Sequence, residues 1–106
     1  MSIVTAESAS LRAAVVAHRD ALDGILRRYR VANPRLFGSV ARGDATGDSD
    51  IDLLVDLLPG GGNDLLRVAG GAEELSPVLG ARVDVVSASL LRDNVSSSAL
   101  ADAVPL

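Results

Sequence analysis

A pair of aspartates at the start of an alternating apolar run is the feature that most constrains this chain. Residues 51–57, Ile-Asp-Leu-Leu-Val-Asp-Leu, predict a β-strand. Because strand side chains alternate with a period of two, Asp50 and Asp52 are expected on the same face. Two adjacent carboxylates repel each other, and a divalent cation removes that cost. The pair therefore predicts a Mg²⁺ site that also uses substrate phosphates.

A Gly-Ser pair lies upstream of the aspartates, and ten residues separate it from Asp50. Gly38 and Ser39 predict a tight turn whose backbone N–H groups and hydroxyl can face phosphate oxygens. Residues 40–42 predict a helical turn that brings Arg42 close. Arg42 either contacts phosphate or anchors the loop by pairing with an aspartate. Together with the aspartate pair, these residues predict a nucleoside-triphosphate site.

The spacing of these residues resembles a family signature. Gly38-Ser-x-Ala-Arg-Gly43, followed by Ser49-Asp-x-Asp-Leu53-x-Val55, is similar to the signature of the DNA polymerase beta-type nucleotidyltransferases. In so short a chain it most resembles the minimal nucleotidyltransferases (MNT proteins), the antitoxins of prokaryotic HEPN–MNT toxin–antitoxin pairs. The resemblance implies the nucleotidyltransferase fold, an α/β domain with a small mixed β-sheet packed against helices.

A third carboxylate lies in another predicted strand, residues 81–86, where alternation puts Arg82 and Asp84 on one face. An aspartate inside a Val-rich strand is unfavourable unless it has a role. Asp84 either pairs with Arg82 or another arginine, or joins Asp50 and Asp52 as a third carboxylate. The resemblance favours the second interpretation, because a third acidic residue on the equivalent strand completes the family's site.

The resemblance also implies an activity. It is transfer of AMP, or another nucleoside monophosphate, from ATP or another triphosphate to a tyrosine hydroxyl of a HEPN ribonuclease toxin, which neutralises the toxin. Asp50, Asp52 and Asp84 would hold Mg²⁺, or Asp84 would act as general base. Gly38 and Ser39 would bind the phosphates. Two alternatives are an antitoxin that acts by binding alone, with a vestigial nucleotide site, and a small-molecule nucleotidyltransferase.

Composition limits the classes of partner. The net charge is −4, all ten basic residues are Arg, and Tyr29 and Phe37 are the only aromatic residues. A chain of this kind lacks the basic patch and the stacking platform of nucleic-acid-binding proteins, so no direct nucleic-acid partner is expected. No apolar run approaches the roughly 20 residues of a membrane span. The start has no signal-peptide pattern, and the lack of Cys suits a reducing compartment. We therefore expect one cytoplasmic domain, residues 1–106. No acceptor-binding domain is evident in it, so the acceptor is expected to be brought by a partner or to bind a shallow surface.

Apolar periodicity predicts the remaining elements. Residues 8–30 predict one amphipathic helix that ends before Asn33-Pro34. A second helix is expected between an Asn63 cap and Gly80. Residues 35–37 predict a short strand, and residues 90–106 predict one or two short helices. The positions expected to be buried in the two long helices are Leu11, Val15, Leu22, Ile25, Leu26 and Tyr29, and then Leu65, Val68, Ala72, Leu75, Val78 and Leu79.

Other polar residues have simpler expectations. The arginine cluster within residues 27–30 either complements the helix dipole or forms a patch for a partner or phosphate. His18 is expected to be a boundary residue rather than a catalyst. Asp44 and Asp48 are predicted to be loop residues. Asp56 shares a strand face with the aspartate pair, but it lies further along and is expected at or beyond the edge of the site.

Overall fold

The computed structural model describes residues 4–89 and 103–106, which form a four-stranded mixed sheet with helices packed against one face. The strand order is β3-β2-β1-β4; β2 and β3 are parallel, and β1 is antiparallel to both β2 and β4. This is the predicted mixed α/β architecture. The elements are α1 (Ala6–Ala17), α2 (Arg19–Arg28), β1 (Val31–Phe37), α3 (Gly38–Arg42), β2 (Ile51–Leu57), α4 (Asp64–Leu79), β3 (Val83–Ser87) and β4 (Val104–Pro105).

The central strand β2 is buried on both faces, and it matches the predicted strand in both bounds. Ile51, Leu53 and Val55 belong to the main core, which also contains the apolar faces of α1, α2 and α4. Leu54 lies on the opposite face, in a smaller cluster with Ala88. Because side chains alternate along a strand, Asp52 shares the face of Leu54 and not the face that the helices cover.

The first predicted helix is two helices, so the expectation of one continuous helix over residues 8–30 is wrong. His18 separates them with φ −110° and ψ 23°, and its side chain is exposed. The helix α1 packs against α3, whereas α2 packs against α4. Val15 of α1 and Leu22 of α2 enter the same core, although the two helices pack against different partners. A periodic sequence pattern does not reveal such a change of partner.

The first strand is longer than predicted, because it begins at Val31, soon after α2 ends at Arg28, and not at residue 35. The chain turns at Arg30, which has a positive φ of 53°, and β1 then runs through Pro34. The pairing register of β1 with β2 shifts between Ala32 and Arg35, and Asn33 has φ 59°. Proline lacks an N–H group and is tolerated at such bulges. Its carbonyl accepts a hydrogen bond from the Leu106 N–H at 3.2 Å.

The helix α4 confirms the second predicted helix. Asn63 accepts a hydrogen bond from the Leu66 N–H at 3.1 Å, and Gly80 ends the helix in the left-handed region. The helix continues through Gly70, where an added Cβ would overlap the ring of Tyr29. The prediction that Leu65 is buried is wrong, because its exposed fraction is 66% in the first turn of α4. Only the later turns of α4 face the sheet.

The end of the chain is only partly described. The predicted helices of residues 90–106 lie mostly outside the described residues. The described part contradicts them at its end, because Val104–Pro105 form strand β4 beside β1. In the part of the chain that the structure describes, no helix has the length and apolar character needed to cross a membrane.

Candidate active site

The turn between β1 and α3 has the shape that the Gly-Ser pair predicts. Gly38 has φ 72°, a conformation that residues with a Cβ rarely adopt. An added Cβ at Gly38 would overlap the carboxylate oxygen Oδ2 of Asp52. The carbonyl of Ser39 accepts hydrogen bonds from the N–H groups of Gly43 at 2.9 Å and Asp44 at 3.0 Å. The turn therefore lies directly against Asp52.

Asp52 and Asp84 are paired across the two parallel strands β2 and β3, in direct register. Asp52 is half-buried. Its pKa is raised from 3.8 to about 6, first by burial, then by the charges of Asp84 and Asp50, while Arg42 acts in the opposite sense. In the described ranges, no hydrogen-bond donor or ion-pair partner contacts either member of this pair within bonding distance. The fold therefore holds two carboxylates together without neutralising them.

Asp50 lies one residue before β2, close enough to contribute to the raised pKa of Asp52. Its Oδ2 is 3.8 Å from Nε of Arg82, whose own carbonyl accepts the Ile51 N–H at 2.9 Å. The alternative interpretation of Asp84 assigned it an ion pair with Arg82. In the structure Arg82 is directed at Asp50 instead, and its side chain is 77% exposed. Such an exposed pair is weak, so it leaves Asp50 available to a ligand.

Arg42 forms an ion pair with Asp44 within the loop, with Nε 3.2 Å from Oδ2. Both side chains are exposed, so the pair is easily exchanged for another partner. Arg42 also acts on Asp52, because its positive charge lowers the pKa of that carboxyl. The pair with Asp44 is the loop-anchoring role predicted for Arg42, and contact of Arg42 with phosphate stays a prediction.

The donor set of the site fits a hard divalent cation. Asp52 and Asp84 present two repelling carboxylates side by side, which is the combination that Mg²⁺ uses together with substrate phosphates. Within residues 4–89 and 103–106, no three or more His, Cys, Asp or Glu side chains are grouped so that they could hold a metal ion, so the structure does not bring Asp50, Asp52 and Asp84 together as the predicted three-carboxylate site. Oxygens from a substrate would therefore have to complete the coordination shell.

A cleft of about 530 Å³ opens beside the carboxylates. Leu11 of α1, Ser49 of the loop before β2 and Arg82 line it, together with Asp50. Asp52 and Asp84 are not part of its walls. Among the three aspartates, the cleft therefore reaches only Asp50.

The remaining polar residues lie away from the carboxylate pair. Asp44 and Asp48 are exposed loop residues, as predicted, and Asp56 hydrogen-bonds Asn33 at 3.0 Å and Arg35 at 2.9 Å on the far part of the same face. The sequence patterns missed Arg12, Ser8 and Thr5 of the N-terminal region, which hydrogen-bond the backbone around α3. No motif marks Arg12.

Replacing Gly38 with Ala is expected to weaken binding of a non-hydrolysable ATP analogue by about tenfold or more, since the strain is on the order of 1–3 kcal/mol. The added Cβ overlaps the Asp52 carboxylate, so either the turn or this carboxylate has to move, and the positive φ of Gly38 disfavours a Cβ in any case. Ser39→Ala should lose about 1 kcal/mol, the net value of one hydrogen bond. Calorimetric titration measures both. The matched control is Gly47→Ala, because a Cβ at Gly47 meets no atom within 4 Å. Wild-type affinity in Gly38→Ala would show that the turn does not approach the nucleotide.

Comparison with known proteins gives consistent matches. The family model described as nucleotidyltransferase domain matches residues 18–105. Protein adenylyltransferase MntA of Thermococcus cleftensis is 34% identical over 106 residues, with 98% of each chain covered. A solved structure described as a minimal nucleotidyltransferase superposes with a TM-score of 0.67 at 40% identity, over 91% of this chain and 95% of that chain.

A second solved structure is described as a toxin–antitoxin with AMP-PNP. It superposes with a TM-score of 0.54 at 27% identity, over 74% of this chain and 60% of that chain. Together with the first structural match, it confirms the predicted fold class.

Proposed function

The chain belongs to the nucleotidyltransferase domain family, and on that premise we propose that it is a Mg²⁺-dependent protein adenylyltransferase antitoxin. It transfers AMP from ATP to a tyrosine hydroxyl of a cognate HEPN ribonuclease toxin and so neutralises the toxin. The whole chain, residues 1–106, acts as one minimal domain in the cytoplasm. The observation that carries this function is the unneutralised pair of Asp52 and Asp84 beside the Gly38-Ser39 turn.

Two relatives support the class of acceptor and the nucleotide. The Thermococcus relative, which is matched over 98% of its length, is named a protein adenylyltransferase. The structural neighbour with AMP-PNP is a toxin–antitoxin, and AMP-PNP is an analogue of ATP. The tyrosine acceptor and the HEPN toxin come from the resemblance of the Gly38-to-Val55 signature to the MNT antitoxins. The net charge of −4 also favours a protein acceptor over direct binding of nucleic acid.

The reaction is a displacement at the α-phosphorus of ATP. The tyrosine oxygen forms a bond to this phosphorus, the bond to the oxygen that bridges to the β-phosphate breaks, and pyrophosphate leaves. Asp84 takes the hydroxyl proton as general base, or it would hold Mg²⁺ together with Asp52, and the proton then passes to solvent. Gly38 and Ser39 bind the outer phosphates through backbone N–H groups and the hydroxyl. The transfer needs little more than this positioning and charge stabilisation.

Asp50, Asp52 and Asp84 are the residues that would hold Mg²⁺. When bound, Mg²⁺ supplies positive charge against the triphosphate and the developing charge of the leaving pyrophosphate. Asp50 would give up its weak pair with Arg82, 3.8 Å away, to join the other two. Arg42 would exchange Asp44 for a phosphate oxygen in the same way, since its pair is also exposed.

The proposed function predicts a covalent change on the partner. Co-expression with the protein encoded by the neighbouring gene should give a partner whose mass is increased by one AMP or more. The increase should disappear with Asp52→Asn and persist with Asp48→Asn, a control on the exposed loop before β2. Mass spectrometry of the purified partner measures it.

The other outcomes of that experiment separate the alternatives. A partner that is inhibited but carries no AMP would indicate an antitoxin that acts by binding alone. A partner that neither associates nor changes in mass would favour a small-molecule acceptor.

A further inference from the structure

The helix α1 lies outside the match to the family model, which begins at residue 18, yet it contacts the segment around α3. Arg12 spans the two elements. Its Nε donates to the Val40 carbonyl at 3.0 Å, and its Nη2 donates to the Ala41 carbonyl at 3.0 Å. These two carbonyls belong to the last turn of α3, where the helix itself supplies no donors. Arg12 therefore caps the C-terminal end of α3 with two hydrogen bonds from one charged guanidinium group.

Thr5 and Ser8 hold the residues that follow α3. The Thr5 N–H donates to the Gly43 carbonyl at 2.9 Å, and the Thr5 hydroxyl donates to the Ala45 carbonyl at 2.7 Å. The Ala45 N–H in turn donates to Oγ of Ser8 at 2.9 Å, and Ser8 is fully buried. Residues 43–45 are thus fixed through their backbone by side chains and backbone of the N-terminal region.

These contacts matter because α3 has only five residues. Isolated helices shorter than about 12 residues are marginal in water, so α3 needs support from other elements. Its first two residues are Gly38 and Ser39, the turn that lies against Asp52. The carboxylates of Asp52 and Asp84 do not share this dependence, because they are fixed by the strand register of β2 and β3.

We propose that Arg12, with Ser8 and Thr5, is a positioning residue that holds the Gly38-Ser39 turn in its phosphate-binding shape and so sets the affinity for the triphosphate. This inference rests on the proposed function, because it requires that the turn binds the outer phosphates of ATP. It assigns a role to α1 that is separate from the carboxylate chemistry. Loss of Arg12 should therefore affect ligands that have outer phosphates and spare those that lack them.

The test compares binding of AMP-PNP with binding of AMP, each with Mg²⁺, by calorimetry and competition. Arg12→Met should weaken AMP-PNP binding by about tenfold, in line with the loss of a hydrogen-bonded charge, and leave AMP binding unchanged. Arg12→Lys should restore part of the loss, because an ammonium group can still donate to these carbonyls. Amide hydrogen exchange should accelerate at residues 38–45 in Arg12→Met.

The matched control is Arg19→Met. Arg19 lies in α2 and pairs with Asp23 at 2.9 Å, away from the turn, so its loss should change neither ligand's affinity. If Arg12→Met does not fold, Ser8→Ala and Arg12→Lys provide the same comparison with smaller expected losses.

Three results would overturn the inference, and they differ in whether the proposed function survives with it. Wild-type protein that binds AMP-PNP, with an Arg12→Met variant of equal affinity, rejects the positioning role and leaves the proposed function intact. Equal losses for AMP-PNP and AMP reject it as well, because they indicate general destabilisation. Wild-type protein that does not bind AMP-PNP rejects the proposed function, and the inference with it.

Discussion

Asp52→Asn is expected to reduce AMP transfer by about 10³-fold, the upper range for removing one electrostatic contact to a transition state. The same substitution should raise the melting temperature of the metal-free protein at pH 7. Both effects have one cause. The fold holds the Asp52 carboxylate half-buried against Asp84 and close to Asp50, which disfavours its ionised form in the apo protein, and the proposed function assigns the same carboxylate to the cation.

The stability effect of Asp52 should depend on pH in a defined direction. The folded protein raises the pKa of Asp52 from 3.8 to about 6, so the folded state binds this proton more tightly than the unfolded state. Protonated Asp52 therefore contributes to the free energy of unfolding, and this contribution is fully present below about pH 3.8 and is lost as pH rises through about 6. Asn carries no charge at any pH. The advantage of Asp52→Asn should therefore be largest at pH 7 and shrink towards pH 4.

Thermal melts of chelator-treated protein from pH 4 to pH 8, combined with transfer assays, test both expectations. Asp48→Asn is the control, because Asp48 lies in the same loop region but is exposed. A near-native transfer rate in Asp52→Asn would reject the metal-site assignment. A melting difference that does not change with pH would show that the ionised Asp52 carboxylate, through its burial and the charges of Asp84 and Asp50, is not what destabilises the protein.

The sequence predicted the local structure of the contiguous part of the candidate site. The β2 strand, the turn at Gly38 and the helical turn after it follow from local rules that act over a few residues: strand alternation, a glycine where φ is positive, and fixed spacing. Asp84 was also found from its strand, because a buried Val-rich strand makes a lone carboxylate conspicuous. The register that pairs it with Asp52 is a tertiary feature, and only the family resemblance suggested it.

Two predictions about the fold were wrong at places where a tertiary contact overrides a local sequence pattern. The helix breaks at His18, where the sequence has no proline or glycine that would predict a break. The two helices on either side pack against different helices, α1 against α3 and α2 against α4. The strand β1 runs through Pro34 because a bulge accommodates the missing N–H group. Local rules treat proline as a stop, and they do not anticipate the neighbouring strand that makes it acceptable.

Long arginine side chains also join distant parts of the chain, and the periodicity of the sequence does not predict these contacts. Arg67 is buried in α4 and donates to the carbonyls of Tyr29 at 2.9 Å, Leu58 at 2.8 Å and Arg30. Arg12 joins α1 to α3 in the same manner. In the sequence, Arg67 and Arg12 look like ordinary polar positions of a helix, because their partners are backbone carbonyls that lie far away along the chain. Elements that carry no family motif can therefore still shape the site.

Asp84→Asn is expected to lower the transfer rate by about 10²-fold, in the range for loss of a general base, with little change in nucleotide affinity. It should not destabilise the metal-free protein. Arg82 is directed at Asp50 and not at Asp84, so the substitution removes a repelling charge and no ion pair. It should also bring the pKa of Asp52 down from about 6, because Asp84 is the largest charge that raises it. The pH dependence of apo stability should flatten accordingly.

Asp56→Asn provides the contrast on the same sheet face. Asp56 is bonded to Arg35 and Asn33, so its replacement should lower the melting temperature and leave transfer near the wild-type rate. Turnover, melting temperature and calorimetric affinity, measured on both variants, distinguish the two kinds of carboxylate. If Asp84→Asn instead behaves like Asp56→Asn, with lower stability and intact transfer, Asp84 is a structural residue. The reaction would then depend on Asp50 and Asp52 alone, with the substrate hydroxyl deprotonated by another group.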